Sequence, residues 1–127
     1  PFIKLNVEGQ SVKFLCDSGA CRSVISSGVK LPRSQNSILV KTADGATTRT
    51  SLSKLVLVDD PVTGLEKRIS LVIAPDCPLN LLGRDLMSVL KISIVPIKDG
   101  MRAVRVTGDC CYLHDPIILC KSPLKQI

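Results

Sequence analysis

The chain has 127 residues, 45% of them hydrophobic, which suits one domain with a real core and excludes general disorder. No apolar run approaches about 18 residues, so a membrane-spanning helix is not expected. Seventeen Lys and Arg against eleven Asp and Glu leave a formal charge of +6. The basic residues are scattered, however, and one Tyr with two Phe offer little stacking surface, so nucleic acid is not expected as a partner.

In chain order, Ile3, Leu5 and Val7 alternate with Lys4, Asn6 and Glu8, the pattern of a half-buried strand. Glu8-Gly9-Gln10 reads as a tight turn. Val12, Phe14 and Cys16 alternate with Ser11 and Lys13, which completes a β-hairpin. That hairpin feeds directly into Asp17-Ser18-Gly19-Ala20. Arg22 to Ser26 predicts a short strand leaving the loop, and Ser27 to Asn36 predicts loop.

Ile38 to Thr42 predicts a strand and Thr47 to Val58 a long one. Ala43-Asp44-Gly45 is the turn near their junction, because Gly tolerates the positive φ that such hairpins need. Asp59-Asp60-Pro61 and Thr63-Gly64 mark another turn, before a strand over Lys67 to Ala74. After the rigid Pro75-Asp76-Cys77-Pro78 and the apolar Leu79 to Leu82, Gly83 to Leu90 is the one convincing helix, with Leu86, Val89 and Leu90 on one face. Ile92 to Ile97, Ala103 to Thr107 and Ile117 to Cys120 predict short strands. No internal repeat or domain boundary is visible. Residues 1–127 therefore read as a single all-β domain with one helix in its C-terminal third.

The six cysteines are Cys16, Cys21, Cys77, Cys110, Cys111 and Cys120. Their spacing matches no secreted disulfide framework, so free thiols in a reducing compartment are expected. Cys16, in an apolar strand, reads as a small core residue. The spacing of Cys110, Cys111, His114 and Cys120 differs from that of zinc fingers and knuckles, so no metal is expected. His114-Asp115 has no nucleophile elbow to serve and does not make a hydrolase triad. The first residues, Pro1-Phe2-Ile3-Lys4, show neither an initiator Met nor a signal-peptide pattern, so the chain reads as a piece cut or trimmed from something longer.

Asp17-Ser18-Gly19 carries the chemistry. Alone it could be an ordinary turn. Its setting is more informative: the triplet closes the apolar strand Phe14-Leu15-Cys16 and is followed by Ala20. A tight loop there would hold a carboxylate rigidly, and Gly19 would let another backbone approach closely. Downstream stands Leu81-Leu82-Gly83-Arg84-Asp85-Leu86, within the longer run that begins at Pro75-Asp76-Cys77-Pro78.

Together these two segments resemble the retroviral aspartic proteases, most of all the gammaretroviral type or a related endogenous retrovirus, over roughly residues 1–95. The resemblance implies an all-β retropepsin-like fold, a closed β-barrel or sandwich with one short helix. It also implies an aspartic endopeptidase that cleaves a Gag-Pol-type polyprotein, without cofactor, in a virion or host cytoplasm. Pepsin-like enzymes carry two such loops in one long chain; this chain has one, so the catalytic pair requires a homodimer with Asp17 facing its symmetry mate. Two carboxylates about 3 Å apart share a proton, the behaviour for which aspartic proteases are the standard example.

By the same resemblance, Ser18 links the two loops across the dimer, while Gly19, Ala20 and Cys21 line the substrate. Cys21 stands where lentiviral relatives have an acidic residue. The hairpin tip at Ala43, Asp44 and Gly45 is the candidate flap. Gly83, Arg84 and Asp85 would support the loop without doing chemistry, and strands within Ala103 to Cys120 would pair across the dimer. The alternative function is a catalytically inactive or domesticated domain of the same fold, used for dimerisation or peptide binding.

Overall fold

The computed structural model describes residues 1–26, 28–41, 44–107 and 111–112. Strands β1 (Phe2–Val7) and β2 (Gln10–Cys16) form the expected hairpin, with Val7 opposite Gln10. Its two-residue turn puts both Glu8 and Gly9 at positive φ, +48° and +80°, the twist that matches right-handed strands. Glu8, which pays a steric cost at that φ, is held by its backbone N–H on Leu57 O and by its carboxylate accepting the Leu57 N–H. Leu5, Val7, Val12, Phe14 and Cys16 face the core from this hairpin.

Short β3 (Val24–Ile25) follows the Asp17 loop. Next come β4 (Arg33–Lys41) and β5 (Thr47–Ser53), paired antiparallel with a register shift between Arg33 and Ser37. The region read as loop up to Asn36 is therefore strand from Arg33, extended by that irregularity. The long strand expected over Thr47 to Val58 is two: β5, and β6 (Val56–Asp59). Between them Leu55 is 66% exposed, and the chain passes from one set of partners to another. The strand expected over Lys67 to Ala74 divides in the same way into β7 (Glu66–Ile69) and β8 (Val72–Ile73).

After β9 (Leu81–Leu82) comes α1 (Arg84–Leu90). The helix buries Leu86, Met87 and Leu90, whereas Val89 is 40% exposed. Met87 and Val89 flank the line through Leu86 and Leu90 on opposite sides, and the core lies on the Met87 side. The chain continues through β10 (Ile92–Ile97), β11 (Gly100–Thr107) and β12 (Cys111–Tyr112). The strand expected over Ile117 to Cys120 lies outside the described residues.

Among the described residues, nine strands join in one sheet in the order β4-β5-β8-β3-β9-β2-β1-β6-β7, and β10-β11-β12 form a second. The fold is thus all-β with one short helix. The large sheet wraps an apolar core whose fully buried members include Leu5, Phe14, Ile25, Leu71, Leu82 and Leu86. Ile92, Ile94 and Ala103 join the second sheet to it. No helix among the described residues is long and apolar enough to cross a membrane.

Candidate active site

The topology places β9 between β2 and β3. It runs parallel to β2, with Cys16 opposite Leu82, and antiparallel to β3, with Val24 opposite Leu81. The chain leaves β2 at Asp17 and returns as β3 on the far side of β9, so the Asp17 loop straddles that strand. The Asp17 N–H donates to Leu82 O at 2.9 Å, the Leu15 N–H to Asn80 O at 2.8 Å, and the Cys16 N–H to Pro1 O at 2.8 Å. The backbone is therefore fixed on both sides just where the carboxylate emerges.

Within the loop, Asp17 Oδ1 accepts the Gly19 N–H at 2.9 Å, and Asp17 O accepts the Ala20 N–H at 3.1 Å. These bonds set the carboxylate's orientation. A Cβ on residue 19 would stand 3.2 Å from Asp17 Oδ1, so glycine keeps that oxygen uncrowded. Asp17 is half-buried, and Ser18 and Gly19 are exposed. Asp17 Oδ2 and the Ser18 hydroxyl make no hydrogen bond among the described residues.

The Gly83-Arg84-Asp85 segment lies directly behind this loop. A Cβ on residue 83 would fall 2.7 Å from the Arg22 carbonyl carbon and 2.9 Å from Ala20 O, so two backbones pass here at a distance only glycine allows. The Arg84 N–H donates to Ala20 O at 2.9 Å, and Arg84 Nη2 lies 2.8 Å from Cys21 Sγ. Asp85 Oδ2 accepts the Ser23 N–H at 3.0 Å, and its Oδ1 accepts the Ser23 hydroxyl at 2.7 Å. Loop and helix start are thereby one hydrogen-bonded unit.

Two members of this unit escaped the sequence reading. Ser23 is fully buried and its hydroxyl also accepts the Gly83 N–H at 2.9 Å. Asn80 Oδ1 accepts both the backbone N–H and the hydroxyl of Ser26, at 2.8 and 2.9 Å, while its amide donates to Lys13 O at 3.2 Å. The available signal was a small polar residue at an inward strand position and an Asn inside the apolar run Leu79 to Leu82.

The β4–β5 hairpin stands at one edge of the sheet, and a groove of about 450 Å³ opens beneath it. Val40, Thr48 and Thr50 of the hairpin line one part. Val24, Val72, Ala74 and Leu81 line another, with Pro75, Asp76 and Cys77 completing it. At the tip, Gly45 has φ +89°, and Asp44 Oδ1 accepts the Ala46 N–H at 3.0 Å. Ala43 lies outside the described residues. The Asp44 carboxylate is thereby bonded within its own turn.

Burial pushes the Cys16 thiol up to about 11, with the N-terminal ammonium and Arg105 pulling weakly the other way. Cys16 is a buried free thiol, Cys21 an exposed one and Cys77 intermediate. Cys110, His114 and Cys120 lie outside the described residues. Away from the loop, fully buried Asp60 pairs with Arg105 Nε at 2.7 Å and accepts the Val62 N–H at 3.0 Å. This ion pair fastens β11 to the turn between β6 and β7.

Comparison with known proteins places the chain in a family. A family model described as retroviral aspartyl protease matches residues 1–95. The chain is 36% identical over 110 residues to the Gag-Pol polyprotein of feline leukemia virus, covering 85% of the chain and 6% of that polyprotein. It is 33% identical over 94 residues to the Gag-Pol polyproteins of gibbon ape leukemia virus and woolly monkey sarcoma virus, in each case covering 74% of the chain and 5% of the polyprotein. The chain thus spans a small fraction of the length of these relatives.

Proposed function

The chain belongs to the retroviral aspartyl protease family, and on that premise we propose that it is an aspartic endopeptidase in which Asp17 from two identical chains forms one catalytic pair. The family supports a protease role. The observation that carries the finer reading is the clamping of Asp17: its backbone is pinned to β9, its Oδ1 to the loop and the loop to the helix start.

One loop per chain supplies one carboxylate, so a twofold axis beside the loop would supply the second. In that pair the ionised carboxylate takes a proton from the attacking water. The protonated one donates to the carbonyl oxygen of the scissile peptide. The carboxyl that took the water's proton passes it to the nitrogen as the C–N bond breaks. The other carboxylate takes one from a hydroxyl of the tetrahedral carbon, which restores the pair as the amine leaves. No covalent enzyme intermediate is required.

The peptide would lie extended between the loops and the hairpin flaps, its side chains alternating into the grooves. Gly19, Ala20 and Cys21 would face its backbone, and Ala43, Asp44 and Gly45 would close over it. The exposed Ser18 would bond across the dimer, and strands within Ala103 to Cys120 would pair between subunits. The natural substrate would be a Gag-Pol-type polyprotein, the class to which the relatives belong.

Cleavage of a peptide library by the wild type and by Asp17→Asn, with and without pepstatin, tests the proposal. Cleavage that pepstatin blocks and the substitution abolishes supports it. Folded protein that cuts nothing would instead favour a peptide-binding or dimerisation role.

A further inference from the structure

The groove beneath the β4–β5 hairpin is apolar apart from Thr48, Thr50, Cys77 and one charge, Asp76. Asp76 follows Pro75 in the rigid connection between β8 and β9, is exposed, and forms neither a hydrogen bond nor an ion pair among the described residues. An unpaired carboxylate on the lining of an apolar groove is available to whatever fills that groove. Its chain neighbours Pro75, Cys77 and Pro78 carry no charge, and the Cys77 thiol is turned to Leu79 O at 3.1 Å.

We infer that Asp76 is a specificity-determining residue, selecting peptides that place a Lys or Arg side chain in this groove. The inference rests on the protease reading and names the substrate class of that same site. Such a side chain suits both parts of the lining. Its alkyl stem packs along Val72, Ala74 and Leu81, while its cation reaches Asp76 and stays in contact with water. A purely apolar side chain fills the walls and leaves Asp76 unpaired; an acidic one meets it with like charge.

The net charge works against this preference at long range, since a chain of +6 repels basic peptides. The local term wins at contact. Charges beyond about 8 Å are largely screened at physiological ionic strength, whereas a contact pair is screened much less. Because Asp76 is exposed, the preference is modest, about 3- to 10-fold, as for other solvent-accessible pairs.

The test uses otherwise identical substrates carrying Lys, norleucine or Glu at each position within three residues of the scissile bond. Norleucine preserves the stem of Lys without its charge. For the wild type, kcat/KM should favour Lys over norleucine about 3- to 10-fold at one or more positions, and the ratio should shrink as salt is raised. In Asp76→Asn the ratio should fall to about one, and in Asp76→Lys the Glu substrate should be preferred. Equal use of Lys and norleucine by the wild type, or a ratio unchanged in Asp76→Asn, overturns the inference while leaving the protease reading intact. If no peptide is cut by any form, the protease reading fails instead. Binding of the same peptides by fluorescence anisotropy then decides: tighter binding of the Lys peptide by the wild type but not by Asp76→Asn upholds the role of Asp76, and equal binding ends it.

Discussion

The hydroxyl of Ser23 donates to Asp85 Oδ1 at 2.7 Å and accepts the N–H of Gly83 at 2.9 Å. One buried atom thus joins the residue just before β3 to the start of α1. Replacing Ser23 with Ala leaves the Gly83 N–H without its acceptor and Asp85 Oδ1 without this donor. Loss of such buried partners costs about 1–3 kcal/mol, so urea unfolding of Ser23→Ala should show a lower midpoint with an unchanged slope. Stability equal to that of the wild type would mean that the unit is not held at this point.

Gly83 is constrained by space and not by conformation, since its φ of −91° is open to any residue. Gly83→Ala forces a methyl to within 2.7 Å of the Arg22 backbone, and backbone cannot swing aside as a side chain would. Overpacking of this kind costs about 1–3 kcal/mol. The Asp17 loop should shift with it, so proteolytic activity should fall further than stability alone explains. A thermal melt and a kcat/KM measurement below the transition separate the two effects.

How much of this was legible in the sequence depends on the range of the interaction. The β1–β2 hairpin could be read from alternation at Ile3, Leu5 and Val7 against Val12, Phe14 and Cys16, because period two reports local burial. The break at Lys54-Leu55 could not. Both sides of it alternate as strands do, and only the switch from β4 and β8 as partners to β1 and β7 separates them. Likewise the Asp17 loop and the Gly83-Arg84-Asp85 element were visible as motifs, whereas the Ser23 and Asn80 bridges depend on pairings far apart in the chain. A lone Ser or Asn carries no mark of a distant partner.

Arg105 compensates a fully buried carboxylate, Asp60, at 2.7 Å. Arg105→Met keeps the stem and removes the charge, leaving the buried Asp60 carboxylate without its cation. Breaking one side of a buried pair costs about 3–5 kcal/mol. Chemical denaturation should show a loss of that order, while Asp60→Asn with Arg105→Met should recover part of it. A single mutant as stable as the wild type would show that the pair does not fasten β11.

The thiols should separate by burial. In the native protein Cys21 should react with a thiol reagent readily and Cys16 only on unfolding, as peptide mapping after timed labelling would show. Cys16 also predicts a pH effect. Its thiol ionises near 9.0 when unfolded and at about 11 in the fold, so above pH 9 the unfolded chain holds fewer protons. The Cys16 contribution is full below about pH 9 and is lost as pH rises towards 11. Melting curves across that window should be flatter for Cys16→Val than for the wild type.

The central claim is that each active centre takes one Asp17 from each of two chains. Mixing wild type with Asp17→Asn at constant total concentration, under conditions of subunit exchange, tests it most directly. If only dimers with two Asp17 residues are active, activity follows the square of the wild-type fraction, so an equal mixture retains about one quarter. Activity in direct proportion to the wild-type fraction, about one half in that mixture, would contradict a shared pair and place catalysis within the single chain.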